Sequence, residues 1–287
     1  MALCLSVINQ KGGVGKSTTI VQLAAILGRE HRVLVVDLDG SHNSTSRLLA
    51  SDERDRPGLY DLLIDEDGKL EVARAIYPAK PEFRGVYVLA GDKRLGSIEQ
   101  HLSSRFARES ILSRILQPLH DKFQFILLDN SPSLHVLALN SLCSATHYLV
   151  PVDMSLDAAH GALAVEQTIS LMRKAGMQAS PKCLGVLVCQ AQKDNARATK
   201  EMRTKHEELF DSKLLAMRIQ HTTKMAEANN SGLSIFQIDP KNAAAKAYEE
   251  LAALIVSEAE KTMTATTARK KDGKRRPVSG RHDRFID

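Results

Sequence analysis

Residues 10–19 read Gln10-Lys11-Gly12-Gly13-Val14-Gly15-Lys16-Ser17-Thr18-Thr19, and this stretch decides both the fold class and the ligand class. In a phosphate-binding loop of the pattern G-x-x-x-x-G-K-[ST], backbone N–H groups surround the phosphates. The lysine reaches the β and γ oxygens and the next hydroxyl binds Mg²⁺. Lys16 and Ser17 stand in those last two positions, with Thr18 continuing the loop into a helix. Gly12, Gly13 and Gly15, with Val14 among them, let the main chain approach the phosphates closely.

The flanks support that reading. Leu3-Cys4-Leu5-Ser6-Val7-Ile8 is an apolar run suited to a buried strand, and Ile20, Leu23, Ala24 and Leu27 follow at i, i+3, i+4, i+7. Strand, glycine loop and helix stand in the required order, and the helix N-terminus adds partial positive charge where phosphate would sit. A glycine-rich turn between strand and helix can also occur without nucleotide, but here Gly-Lys-Ser-Thr is in register. The pattern's first position holds Gln10 in place of glycine, and a second lysine, Lys11, follows at once.

Three further blocks accompany the loop: VLVVDLDGSHNST at 33–45, FQFILLDNSPSL at 123–134, and the late stretch MAEANNSGLSIFQIDPKNAAAKAYEELA. With NQKGGVGKSTT they make the chain resemble the ParA/MinD family of deviant Walker ATPases, and within it the ParA (Soj-like) DNA-partition ATPases, over most of residues 1–258. The resemblance implies ATP and Mg²⁺ as cofactors, and a weak, partner-stimulated ATPase. In this family the lysine at Lys11 crosses a dimer interface to touch phosphates bound by the partner subunit, so Lys11 joins Lys16 as a catalytic candidate and nucleotide ligand.

Asp129 ends the apolar run Phe125-Ile126-Leu127-Leu128, where a Walker B carboxylate belongs, although an aspartate there can also be a turn residue. Asp37 and Asp39 follow Val33-Leu34-Val35-Val36. By resemblance Asp37 orders the metal shell with Ser17 and Asp129, and Asp39 positions the attacking water. Two departures stand out: the family's Asp-Pro-Gln-Gly-Asn is here Asp39-Gly40-Ser41-His42-Asn43, and the usual prolines after the Walker B acid are replaced in Asn130-Ser131-Pro132-Ser133.

Apolar runs at 3–8, 33–36, 86–89, 125–128, 148–152 and 183–189 alternate with longer helical stretches. This predicts an α/β fold, a mainly parallel doubly wound sheet with helices on both faces, in a single domain over 1–260. Residues 51–85 read as surface elements, with a short amphipathic helix at Leu59-Tyr60-Asp61-Leu62-Leu63, and a packing helix is expected over Ala243 to Ala259. Residues 261–287 are read as a basic, disordered tail. From Thr262 on, the chain holds eight Lys and Arg against three Asp, which equals the entire net charge of +5. Such a tail suits either a polyanion or solubility alone.

Cys4, Cys143, Cys183 and Cys189 form no C-x-x-C pair, which fits reduced core thiols and a cytoplasmic protein. No apolar run reaches the roughly 20 residues of a membrane span. The basic tail lacks the apolar face of a membrane-targeting helix, as a MinD-like switch would need. No cysteine follows Asp129 until Cys143, against an iron-sulfur reductase, and Tyr248 is the last tyrosine, against a capsule-type kinase with its tyrosine cluster. No helix-turn-helix extension precedes the first strand, so operator binding is not expected.

What remains is a ParA-like role: an ATP-dependent homodimer, nucleoid-associated, binding DNA non-specifically and segregating a plasmid, chromosome or integrative element with a ParB-like partner. The DNA-binding candidates are Lys224, where relatives commonly have arginine, and Arg197, Lys200 and Arg203 in the basic segment Lys193–Lys205, which could equally be a solvated face. Two alternatives share every residue named: positioning of a protein cargo through an adaptor, and an ATP-gated DNA scaffold with slow turnover.

Overall fold

The computed structural model describes residues 2–50, 56–177, 181–191 and 197–273, with backbone only for 197–199 and 263–273. Strand β1 (Leu3–Val7) runs through the glycine loop into α1 (Lys16–Leu27), and β2 (Val33–Asp37) runs through a second loop into α2 (Asn43–Leu48). After them come α3 (Leu59–Ile64), β3 (Ile76–Pro78), β4 (Val86–Leu89), α4 (Ile98–Leu102) and α5 (Ile111–Leu116). The second half contains β5 (Phe125–Asp129), α6 (Val136–Ser144), β6 (His147–Val152), α7 (Leu156–Lys174), β7 (Lys182–Ala191) and α8 (Arg197–Phe210). Strand β8 (Leu214–Gln220), α9 (Thr223–Ser231), α10 (Ile235–Ile238) and α11 (Ala243–Gly273) complete it.

The strands form one eight-stranded sheet in the order β3-β4-β2-β5-β1-β6-β7-β8. Only β3 runs antiparallel to its neighbour; the other pairings are parallel. Alternation along the central strands shows why both faces need helices. Leu3, Leu5 and Val7, with Val33, Val35, Phe125 and Leu127, pack beneath α1 and α11. Cys4, Leu34, Val36, Ile126 and Leu128 point the other way, into a core shared with α3 to α6. A third cluster joins Tyr148, Val150 and Val188 to α7. Strands buried on both faces read as unbroken apolar runs, and this is why periodicity marks them.

Two strands lie outside the predicted runs. β3 has three residues and ends in a proline, and β8 carries Arg218 and is only half-buried, so neither gives a continuous apolar run. Both are sheet edges, where one side has no neighbouring strand to bury it. The last helix also differs from expectation, because α11 continues past residue 260 to Gly273. No glycine or proline interrupts 243–272, and extending a helix already anchored by Tyr248, Leu251 and Ile255 costs far less than starting one. The rest of the expected tail, 274–287, lies outside the described residues.

Candidate active site

Everything needed to hold a nucleotide gathers at the carboxyl ends of the central strands, where open parallel sheets place their ligands. The glycine loop leaves β1 and enters α1 through Gly15, whose φ of 97° is a left-handed conformation that a side chain would strain. Asn9, fully buried, fixes the start of the loop. Its amide donates to the carbonyls of Pro151 (2.7 Å) and Ala158 (3.1 Å), while its oxygen accepts from the Lys11 N–H at 2.9 Å.

A cavity of about 370 Å³ opens over the loop, lined by Gly12, Gly13, Gly15, Lys16, Ser17 and Thr18 from one side and by Asp39, Asn43, Arg47, Pro132 and Gln190 from the others. Its lining combines the loop with residues from the ends of β2, β5 and β7. A second cavity, about 220 Å³, shares Gly15, Thr18 and Gln190 with it and continues toward His221, Asn229 and Tyr248. A larger hollow of about 530 Å³ lies at Arg56, Asp61, Asp92 and Arg94, but there Arg94 is already paired with both acids.

Inside the site the two lysines are parked on protein atoms. Lys16, buried, donates to the main-chain oxygen of Lys11 at 2.9 Å, and burial pulls its pKa below the usual ammonium value. Lys11 reaches across to the loop after β6, where its Nζ lies 2.8 Å from Asp153 Oδ2 and 2.8 Å from Ser155 Oγ. Burial would raise the Asp153 carboxyl, but hydrogen bonds from Lys11 and Ser155 outweigh it and leave it below the ordinary carboxylate range.

Asp37 and Asp129 end adjacent strands and lie opposite one another in register, both fully buried. Their environments differ. Asp37 is saturated: it accepts from the Asp39 N–H (3.1 Å), the Thr45 N–H (2.9 Å) and the Thr45 hydroxyl (2.7 Å), and so ties the loop over residues 37–45 to the sheet. Neither oxygen of Asp129 makes a hydrogen bond of ordinary geometry, although the hydroxyls of Ser17 and Ser44 lie close enough to favour its ionised form. Both carboxyls are held above the usual range, first by burial and, for Asp129, also by the charge of Asp37. A buried carboxyl beside the hydroxyl of Ser17 is a set of oxygen donors whose chemistry fits Mg²⁺. Of the two, Asp129 has the less occupied oxygens, whereas Asp37 anchors the loop after β2.

Asp39 is partly exposed at the cavity edge and accepts from the Ser41 N–H at 2.9 Å. The departure at Gly40 has a steric correlate: a Cβ there would come 3.1 Å from the Gly96 nitrogen. His42, at the first boundary position of α2, adopts a left-handed φ of 43° and makes no side-chain cap; its Nδ1 lies 2.9 Å from Ser46 Oγ. In the other departure, Asn130 is buried and donates to Ser6 Oγ and to the Val7 carbonyl, both at 3.0 Å, fastening the loop after β5 to β1. Pro132 then lies against the glycine loop at Gly12.

The DNA-binding candidates occupy two helices. Lys200 and Arg203 are exposed on α8, and Lys224 is exposed on α9. Arg203 pairs with Glu207 at 2.9 Å and Lys224 with Glu227 at 2.8 Å. Arg197 begins α8, its side chain outside the description, and Lys193 lies outside the described residues altogether. Sequence reasoning missed Asn9, Arg47, Asp153, Ser155 and Gln190. Asn9 opens the quoted loop block and Arg47 stands just beyond the 33–45 block; the others come from elements brought to the site by the sheet topology. Among the described residues no helix is long and apolar enough to cross a membrane.

The AAA domain family matches residues 2–180. The chromosome-partitioning ATPase Soj of Thermus thermophilus is 33% identical over 255 residues, covering 86% of this chain and 93% of its own. Soj of Bacillus subtilis, a sporulation initiation inhibitor protein, is 29% identical over 255 residues, covering 88% and 97%. Among solved structures, cobyrinic acid a,c-diamide synthase from Mycobacterium smegmatis with bound ADP and magnesium has a TM-score of 0.73 at 28% identity, over 88% of this chain and 93% of that one. The ATP complex of a McdA variant from Cyanothece has a TM-score of 0.79 at 20% identity, over 88% and 96%, a likeness of fold.

Sheet order, glycine loop and the paired strand-end acids define a P-loop ATPase. The chain belongs to the AAA domain family, in its ParA/Soj-like branch of partition ATPases.

Proposed function

We propose that this protein is a Mg²⁺- and ATP-dependent dimerising ATPase that binds DNA without sequence preference and segregates a DNA element together with a ParB-like partner. The observation that carries the reading is the pair of lysines on one loop. In this reading Lys16, now on the Lys11 carbonyl, serves the nucleotide of its own subunit, and Lys11 is held by an ion pair to Asp153 that it can leave.

In this reading the phosphates lie in the loop cavity and the nucleoside extends into the adjoining one past Thr18 and Gln190. Mg²⁺, held by Ser17 and Asp129 with Asp37 behind them, would neutralise charge developing on the phosphates. Asp39 orients the attacking water. Lys16 leaves the Lys11 carbonyl for phosphate, and Lys11 leaves Asp153 for the nucleotide of a second copy, so a shared triphosphate joins two subunits. Lys200, Arg203 and Lys224 supply phosphate contacts to DNA, which should weaken steeply with salt.

The test is ATP turnover measured alone, with DNA, and with DNA plus the product of a neighbouring ParB-like gene. Stimulation by DNA and partner together is expected. Turnover unaffected by either would contradict the partition role.

A further inference from the structure

Arg47 is the one arginine lining the phosphate cavity among the described residues, and no motif marks it. It sits in the last turn of α2, the short helix that Asp37 anchors through Thr45. A guanidinium has five N–H donors. Arg47 uses one of them, from Nη1 to the Thr18 hydroxyl at 3.2 Å. No carboxylate pairs with it among the described residues, although it is partly buried and feels the charge of Asp129 from a distance. Its own carbonyl is held by Lys80 Nζ at 2.9 Å, which fixes the backbone from which the side chain reaches the cavity.

A half-buried guanidinium that faces a cavity without a carboxylate partner keeps part of its desolvation cost until an anion occupies that cavity. Lys16, two residues before the Thr18 that Arg47 touches, is the lysine the loop pattern assigns to the β and γ phosphates. Thr18 borders both the phosphate cavity and the adjoining one, so Arg47 stands where the two meet. Asn229 Nδ2 converges on the same Thr18 oxygen at 3.4 Å, from the side of the second cavity. We infer that Arg47 is a nucleotide-binding residue that contacts the phosphate next to the nucleoside, acting within its own subunit through the planar fork that a lysine cannot reproduce.

This inference rests on the ATP site proposed above, and the experiment separates the two. Binding of fluorescent ATP and ADP analogues is measured by anisotropy for wild type, Lys16→Ala and Arg47→Met. Because the contacted phosphate is common to both nucleotides, Arg47→Met should weaken ATP and ADP alike, by about tenfold or more, the loss of one charged hydrogen bond. Arg47→Lys should fall between Met and wild type. If the Met variant does not fold, Arg47→Gln, which can still bond Thr18, carries the same expectation.

Unchanged affinity in a folded variant would overturn the inference. So would a loss confined to ATP, which would move the contact to the γ-phosphate. Wild type failing to bind either nucleotide would sink the ATP site itself, whereas binding lost in Lys16→Ala but intact in Arg47→Met would sink the role of Arg47 alone.

Discussion

The Nζ of Lys11 lies 2.8 Å from Asp153 Oδ2, so the lysine that the proposal sends across a subunit boundary is held by its own chain. The pair is about a quarter exposed, with side-chain accessibilities of 29% and 23%. At that exposure its net worth is at most about 1 kcal/mol. It delays the lysine without trapping it.

Asp153→Asn should therefore ease dimerisation. Losing about 1 kcal/mol of competition corresponds to roughly a fivefold lower protein or ATP concentration at the dimerisation midpoint. Light scattering across an ATP titration measures it, and an unchanged midpoint would mean that the ion pair does not compete with the interface.

Lys16→Ala should abolish nucleotide binding without harming the fold. Lys16 makes a single protein hydrogen bond, to the Lys11 carbonyl, and its ammonium is partly desolvated. Removing it relieves a burial cost as it removes the bond, so the melting temperature without nucleotide should stay within a few degrees of wild type. A collapse on melting would show the lysine to be structural.

The two buried acids set a pH dependence. Both folded-state pKa values lie above the unfolded value of about 4, so the folded protein binds more protons over the range above that value. Stability of the Mg²⁺-free, nucleotide-free protein should then fall as pH rises from about 5 to about 7. Asp129→Asn should flatten this slope and Mg²⁺ with ADP should oppose it. Thermal melts across that range in the three conditions check the sign; a rising stability in wild type would contradict it.

Asn130→Ala removes two hydrogen bonds to β1, taking one donor from the Val7 carbonyl and leaving Ser141 as the remaining side-chain partner of the Ser6 hydroxyl. The expected cost is about 1 to 3 kcal/mol, read from urea unfolding. A change below about 0.5 kcal/mol would mean that the loop after β5 is held by other contacts.

The glycine loop and the strand-end acids were legible in the sequence to the extent that they are local. Gly12 to Thr18 occupy one loop, and Asp37 and Asp129 each end a run of apolar residues that only a doubly buried strand explains. Their different duties were not legible: Thr45 saturates Asp37 and leaves Asp129 open, a consequence of how α2 folds back over β2. Asp153 and Arg47 were hidden for a related reason, because each is remote in sequence from the residue it meets and reaches it only through the sheet order β2-β5-β1-β6. Edge strands β3 and β8 were missed because a strand covered on one side has no need of an unbroken apolar run.

The most direct test of the account is the mass in solution of Asp39→Ala, which should bind ATP but not hydrolyse it, measured by light scattering in saturating ATP and Mg²⁺, beside the same variant carrying Lys11→Ala. The account expects twice the chain mass for Asp39→Ala with ATP, the monomer mass with ADP, and the monomer mass for the double variant in either nucleotide. A monomeric Asp39→Ala in ATP, or a double variant that still dimerises, would contradict it.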